Sequence, residues 1–250
     1  IETVLKNSLR HKFQNYNPEP ASMPFHTRLL GKDRMALFSF IHSLNTNFGT
    51  SIFEPVAKTL ALSTFASAES QQTAGDTISS EAQRVIQNIM DSLAVATSSP
   101  NKIEEIEAIR NVCRSGVMKT VKPTKVDIKL IGHDGTIYLI DLKTAKPNAG
   151  GFKEFKRTLL EWVATTLAAN PTANVQTIIA IPYNPYAPQP YARWTMRGML
   201  DLEHELKVAE EFWDFLGGQG AYTDLLDIFE RIGLELRPEI DACFARYNLQ

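Results

Sequence analysis

The sequence predicts an α/β fold with a mixed central β-sheet flanked by helices, and three observations predict it. Before Gly116 the apolar residues fall mostly at helical spacing. After Gly116 the pattern changes. Val126-Asp127-Ile128-Lys129-Leu130 alternates apolar and polar, His133-Asp134-Gly135 signals a turn, and Ile137 to Leu142 is rich in apolar and β-branched residues, so the two runs form a hairpin. An amphipathic helix over about Phe152 to Ala169 then precedes Val175 to Ile181, a continuous apolar run suited to a buried strand.

Taken in order, Asp33 is placed to cap a helix that carries Met35, Leu37, Phe38 and Ile41, and Asn47-Phe48-Gly49 breaks it. A second helix starts near Ser51 and carries Phe53, Val56, Leu60 and Leu62. The small, polar stretch from Ala66 to Ser80 reads as a loop. Ser80 precedes a third helix with Val85, Ile86, Ile89, Met90 and Leu93, and a fourth covers about Ile103 to Val112 after Pro100. Beyond the hairpin, the long helix and the apolar strand, four prolines between Pro182 and Pro190 impose a loop. Arg193 to Met199 reads as another strand, and the region from about Glu203 as mostly helical, punctuated by Gly217, Gly218 and Gly220. There is no internal repeat. The expectation is one domain over 1–250, with a helical part at 1–115, a catalytic core at 116–200 and a helical part at 201–250.

Composition is that of an ordinary globular chain: 250 residues, 44% hydrophobic and 22% charged, with a formal net charge of −2. Many nucleic-acid binders are strongly basic and this chain is not, which weighs against a nuclease but permits a local basic surface offset by catalytic carboxylates. The two cysteines, Cys113 and Cys243, lie far apart and read as reduced thiols. No apolar run approaches the roughly 20 residues that span a bilayer, and no signal-peptide pattern opens the chain.

The chemistry is concentrated on the hairpin. Asp141 and Lys143 are two apart, so on a strand they share a face, and the hairpin can bring Asp127 beside Asp141. Paired carboxylates repel, which favours a bound divalent cation. Mg2+ takes one or two carboxylates together with substrate phosphate. The Lys143 ammonium can then orient water and stabilise developing charge, which amounts to metal-assisted phosphodiester hydrolysis. By spacing alone, a solvent-facing Asp127 and a surface Asp141–Lys143 ion pair stand as the rival reading. Two features favour chemistry. Strand ends in α/β sheets carry sites, and Asp141 follows the apolar Ile137-Tyr138-Leu139-Ile140, a costly place for a charge.

These residues also carry a family resemblance. Asp127-Ile128-Lys129 with Tyr138-Leu139-Ile140-Asp141-Leu142-Lys143-Thr144-Ala145-Lys146-Pro147-Asn148 resembles the catalytic core of PD-(D/E)xK restriction endonucleases, more narrowly the TdeIII type. Phe152 to Trp162 resembles the helix after the motif in that group. Glu211-Phe212-Trp213-Asp214-Phe215-Leu216 resembles a late helix of relatives that cut GGNCC-centred sites. The resemblance covers about 120–220 well and the N-terminal helices loosely. Lys125-Val126 stands where the wider superfamily often has proline before the first aspartate. The resemblance implies a restriction-endonuclease-like core with N- and C-terminal helical additions. It also implies catalytic Asp127, Asp141 and Lys143, with Mg2+ on Asp127 and Asp141. The implied activity is cleavage of both strands of a short, GGNCC-like double-stranded DNA site by a homodimer. A cytoplasmic bacterial enzyme with a DNA methyltransferase encoded nearby is the implied setting. Many members add an acidic residue from an N-terminal helix, and Glu54 is the candidate here, against a solvated helix glutamate.

Lys146, Lys153, Lys156 and Arg157 crowd the exit from the motif, and the last three are spaced to share a helical face, either meeting phosphates or simply solvated. Asn148, Asn184, Gln189, Arg193 and Arg197 are of the types that read base edges. His11, His26, His42, His133 and His204 show no metal-ligand spacing, and Gly217-Gly218-Gln219-Gly220 lacks the lysine of a P-loop. Trp162, Trp194 and Trp213 read as packing residues. Dimer contact is expected from the helix of Phe212, Trp213, Phe215 and Leu216 or from the N-terminal helices. Two other readings stay open: a repair nuclease specific for DNA structure, and a non-catalytic DNA-binding protein.

Overall fold

The computed structural model describes residues 1–15, 24–143, 151–191, 196 and 198–248. The first helices are α1 (Glu2–Asn15), α2 (Pro24–Leu30) and α3 (Lys32–Asn47), followed by a π-helical turn (Phe48–Phe53) and α4 (Glu54–Ala61). Then come β1 (Ser67–Thr73), β2 (Thr77–Ser79), α5 (Ser80–Ala94), α6 (Lys102–Arg110), β3 (Met118–Thr120), β4 (Lys125–Ile131) and β5 (Ile137–Leu142). The chain continues through α7 (Gly151–Ala169), β6 (Val175–Ile181), β7 (Leu206–Val208), α8 (Glu210–Gly217), α9 (Ala221–Glu235) and α10 (Arg237–Asn248). Among the described residues, no helix is long and apolar enough to cross a membrane.

Contacts divide the chain into two compact units, Ile1–Val56 with Tyr222–Gln250, and Ala57–Ala221. The first is helical. Phe13, Phe40 and Cys243 form a small core with Leu9 and Ile240 against it, and the two phenylalanine rings stack at 6.1 Å. Lys6–Glu235 at 2.7 Å and Arg10–Glu239 at 2.8 Å tie α1 to the last two helices. Gly31, at φ 92°, makes the turn between α2 and α3. Because α3 begins at Lys32, Asp33 sits inside its first turn rather than capping it.

The second unit holds the sheet, in order β1-β4-β5-β6-β7. β1, β4 and β5 are antiparallel neighbours, and β5, β6 and β7 run parallel, which makes the sheet mixed as expected. One face packs on α5, α6 and α7: Ile86, Met90, Ile109, Leu159, Val163 and Leu167 meet Leu139, Val175 and Ile179. Side chains alternate along a strand, so Tyr138 points to the other face, where its ring meets Phe65 at 5.7 Å and Phe215 of α8 at 5.3 Å. Helix α5 starts at a Ser79 cap whose hydroxyl accepts from the Ala82 amide, and α6 starts at an Asn101 cap accepting from Glu104. Cys113 and Cys243 are both free and buried.

Three expectations are corrected. The polar stretch Ala66–Ser80 is not a loop, since it supplies β1 and β2. β1 is an edge strand with one paired side, so its Glu69, Gln71, Gln72 and Thr73 can remain in solvent and no apolar alternation marks it. Residues 57 to 115 belong to the same unit as the sheet. The strand expected at Arg193–Met199 falls largely outside the described residues, but Met196 is helical and Gly198 and Met199 lie in a turn. The fifth strand is the three-residue β7, within the region expected to be helical and too short to show a period.

Candidate active site

The pairing of β4 with β5 decides the site. Ile128 faces Ile140, so the next step outward sets Asp127 across from Asp141 at the open end of the hairpin. The Leu142 amide donates to Asp127 Oδ2 at 2.8 Å, which fixes the first carboxylate to the second strand. β5 lies between β4 and β6, and the Lys143 amide continues that pairing by donating to the Ala180 carbonyl at 2.9 Å. Its Nζ lies 2.7 Å from Asp141 Oδ1 and 4.7 Å from the centre of the Phe155 ring on α7. Phe155 is a neighbour of the site that spacing along the hairpin could not reveal. The amphipathic pattern of α7 and the resemblance carried by Phe152 to Trp162 were its signals.

Asp141 is only 6% exposed. Burial pushes its carboxyl up to about 6; the Lys143 ammonium opposes this, and the adjacent Asp127 adds to it. The rival reading of a surface ion pair does not describe this carboxylate. Among the described residues no three His, Cys, Asp or Glu cluster as metal ligands. Asp127 and Asp141 offer two abutting carboxylates, hard oxygen groups whose mutual repulsion a divalent cation could relieve. That fits Mg2+, which fills its remaining positions with water and phosphate oxygen.

A family model described as "Type II restriction endonuclease, HinfI" matches residues 1–233. This chain belongs to the HinfI family of type II restriction endonucleases. Among its relatives, the type II restriction enzyme HgiBI of Herpetosiphon aurantiacus is 26% identical, over 96% of this chain and 90% of its own length. HgiEI from the same organism is 28% identical, over 87% of this chain and 79% of its own. MjaII of Methanocaldococcus jannaschii is 26% identical, over 93% and 68%. A member of the HinfI family is a sequence-specific DNA endonuclease, and the mixed five-stranded sheet is consistent with a restriction-endonuclease-like core.

In this HinfI-family chain the other predicted residues fare differently. Lys153 is exposed on α7, and Arg157 is half-buried and donates to Gln87 at 2.8 Å. Lys156 is corrected: it is fully buried, with Nζ 2.5 Å from Glu105 and 2.6 Å from Glu205, and cannot meet phosphate from there. Lys102, also fully buried, bonds Glu205 at 2.8 Å and donates to Thr177. Burial works to raise the Glu205 carboxyl, but the two ammoniums outweigh it and hold it below the usual range. Helical spacing put Lys153, Lys156 and Arg157 together. Glu105 and Glu205, distant in sequence, draw the middle one inward.

Asn184 is also corrected as a base reader, since its amide donates to the Gln189 carbonyl at 2.7 Å and its oxygen accepts from the Tyr186 amide, bracing the proline-rich loop. Gln189 is exposed there. Lys146, Asn148, Arg193, Arg197 and Trp194 lie outside the described residues. Glu54 opens α4 and is 4% exposed, not a solvated helix glutamate. Trp162 and Trp213 pack as expected, their indoles donating to Thr124 and to the Pro182 carbonyl.

Proposed function

We propose that this endonuclease depends on Mg2+ and hydrolyses the phosphodiester bond at Asp127, Asp141 and Lys143. The observation that supports this most is the buried Asp141 carboxylate abutting Asp127 and held 2.7 Å from the Lys143 ammonium. Asp127 and Asp141 would hold the ion, which supplies Lewis-acid polarisation of a phosphoryl oxygen and an acidic water. Asp141 has to lose its proton first, and two adjacent negative charges disfavour that loss. Lys143 supplies a fixed positive charge for the charge that develops on the phosphate, with Phe155 and Asp141 restricting where the ammonium sits. Asp141→Asn tests the assignment: it should retain fold and DNA binding while cleavage stops. Undiminished cutting would remove Asp141 from the site. Glu54 rests on the resemblance alone, and Glu54→Gln tests it separately by the same pair of measurements.

The TdeIII-type resemblance adds a GGNCC-like site. Digestion of plasmid DNA with Mg2+ and sequencing of the ends would give one repeated sequence, whereas a smear would favour a structure-specific nuclease. Lys153 and Arg157, with Lys146, Asn148, Arg193 and Arg197 by residue type, are the proposed DNA contacts. A methyltransferase gene beside this one is the genomic counterpart.

A palindromic site matches a two-fold dimer with one site per strand. The helix of Phe212, Trp213, Phe215 and Leu216 offers little apolar surface for that contact, because Phe212, Trp213 and Leu216 are no more than 1% exposed. The N-terminal helices remain: Phe25 and Leu29 on α2 are 85% and 81% exposed, and Phe38 on α3 is 56% exposed. Sedimentation should give about twice the 28.0 kDa chain mass, and Phe38→Glu should return it to one.

A further inference from the structure

β1 forms the outer edge of the sheet beside β4. Its register runs from Ser70 opposite Ile128 to Gln72 opposite Val126, so Gln71 lies across from Asp127. Two features set Gln71 apart from the other polar residues of this strand. Its φ is 55°, in the left-handed region that a side chain disfavours and glycine adopts freely. Its amide Nε2 also lies 3.4 Å from Asp127 Oδ1, at the long end of hydrogen-bond range. The other oxygen of that carboxylate accepts from the Leu142 amide at 2.8 Å. Asp127 is therefore held at both oxygens, from the strands on either side of its own.

We infer that Gln71 is a positioning residue for Asp127: its side-chain amide, presented by a left-handed backbone, fixes the plane of the carboxylate for a divalent cation. The inference rests on the reading of Asp127 and Asp141 as the metal-binding pair. The residue type suits the task. A neutral amide donates to the carboxylate without neutralising it, whereas a lysine or arginine would compete with the cation for the same charge. The positive φ holds a side chain where glycine would be easier, and that side chain's amide reaches to 3.4 Å from Asp127.

The backbone and amide effects can be separated. Gln71→Gly removes the amide and relieves the backbone, and Gln71→Ala removes the amide and leaves the strain. Mg2+ binding is measured by calorimetry on the DNA-free protein, alongside thermal midpoints, for the parent, both variants and Asp141→Asn. The expected result is a loss of Mg2+ affinity on the order of tenfold in both Gln71 variants. Gln71→Gly should melt no lower than the parent, and Gln71→Ala no higher than Gln71→Gly. Parent-like Mg2+ affinity in Gln71→Gly overturns the inference. So does a loss of affinity confined to variants that also melt lower, which would mark a structural role. If Asp141→Asn binds Mg2+ as the parent does, the metal-site reading itself fails. Loss in Asp141→Asn with parent-like Gln71 variants would refute only the role of Gln71.

Discussion

Replacing Asp141 by asparagine should stabilise the metal-free protein in a pH-dependent way while abolishing cleavage. Asp141 is 6% exposed, and burial raises its carboxyl from 3.8 to about 6. An acid with a raised folded-state pKa binds its proton more tightly when folded. Its ionisation thus costs nothing below about pH 4 and destabilises progressively as pH rises through about 6. The rise from 3.8 to about 6, at about 1.36 kcal/mol for each tenfold change in proton affinity, corresponds to about 3 kcal/mol at pH 8. Asparagine removes that cost and keeps an oxygen acceptor for Lys143, whose 2.7 Å contact otherwise loses its charge. The assay is urea unfolding of both proteins with chelator, at pH 4 and pH 8. The variant should exceed the parent by about 2–3 kcal/mol at pH 8 and match it near pH 4. A gain of equal size at both pH values, or a variant weaker at pH 8, would refute the argument, because neither follows from a buried ionised carboxylate.

Four further outcomes follow from the same geometry. At limiting Mg2+, cleavage should fall as pH drops through about 6, since Asp141 has to be ionised to bind metal, and a rate unchanged from pH 5 to 8 would contradict this. Lys156→Met should cost about 3–5 kcal/mol of stability by leaving Glu105 and Glu205 buried without that ammonium, and the salt dependence of DNA binding should stay as it was. Lys153→Ala on the exposed side of the same helix should instead lower the salt slope by about one unit with little change in stability, and an unchanged slope would return Lys153 to a solvated face. Phe155→Leu should keep the fold yet lower kcat, as Lys143 loses the ring 4.7 Å from its ammonium.

The hairpin was readable because both of its signals are local. Period-two alternation in Val126–Leu130, the Asp-Gly turn and the apolar Ile137–Leu142 fix strand and face within about 20 residues, and the face of Asp141 is then the face of Lys143. Helices α5, α6 and α7 were equally plain in their apolar spacing. Together, these determined the α/β class and put Asp127, Asp141 and Lys143 at one end of one hairpin. Tertiary structure decided which polar residues are solvent-facing and which are not. Lys156 meets carboxylates 51 and 49 residues away, and Gln71 meets an aspartate 56 residues away, on an edge strand that a polar sequence conceals. The raised carboxyl of Asp141 likewise depends on the layer of helices over the sheet. Such partners are distant along the chain and carry no period, so their effect on burial and charge appears only when the elements pack.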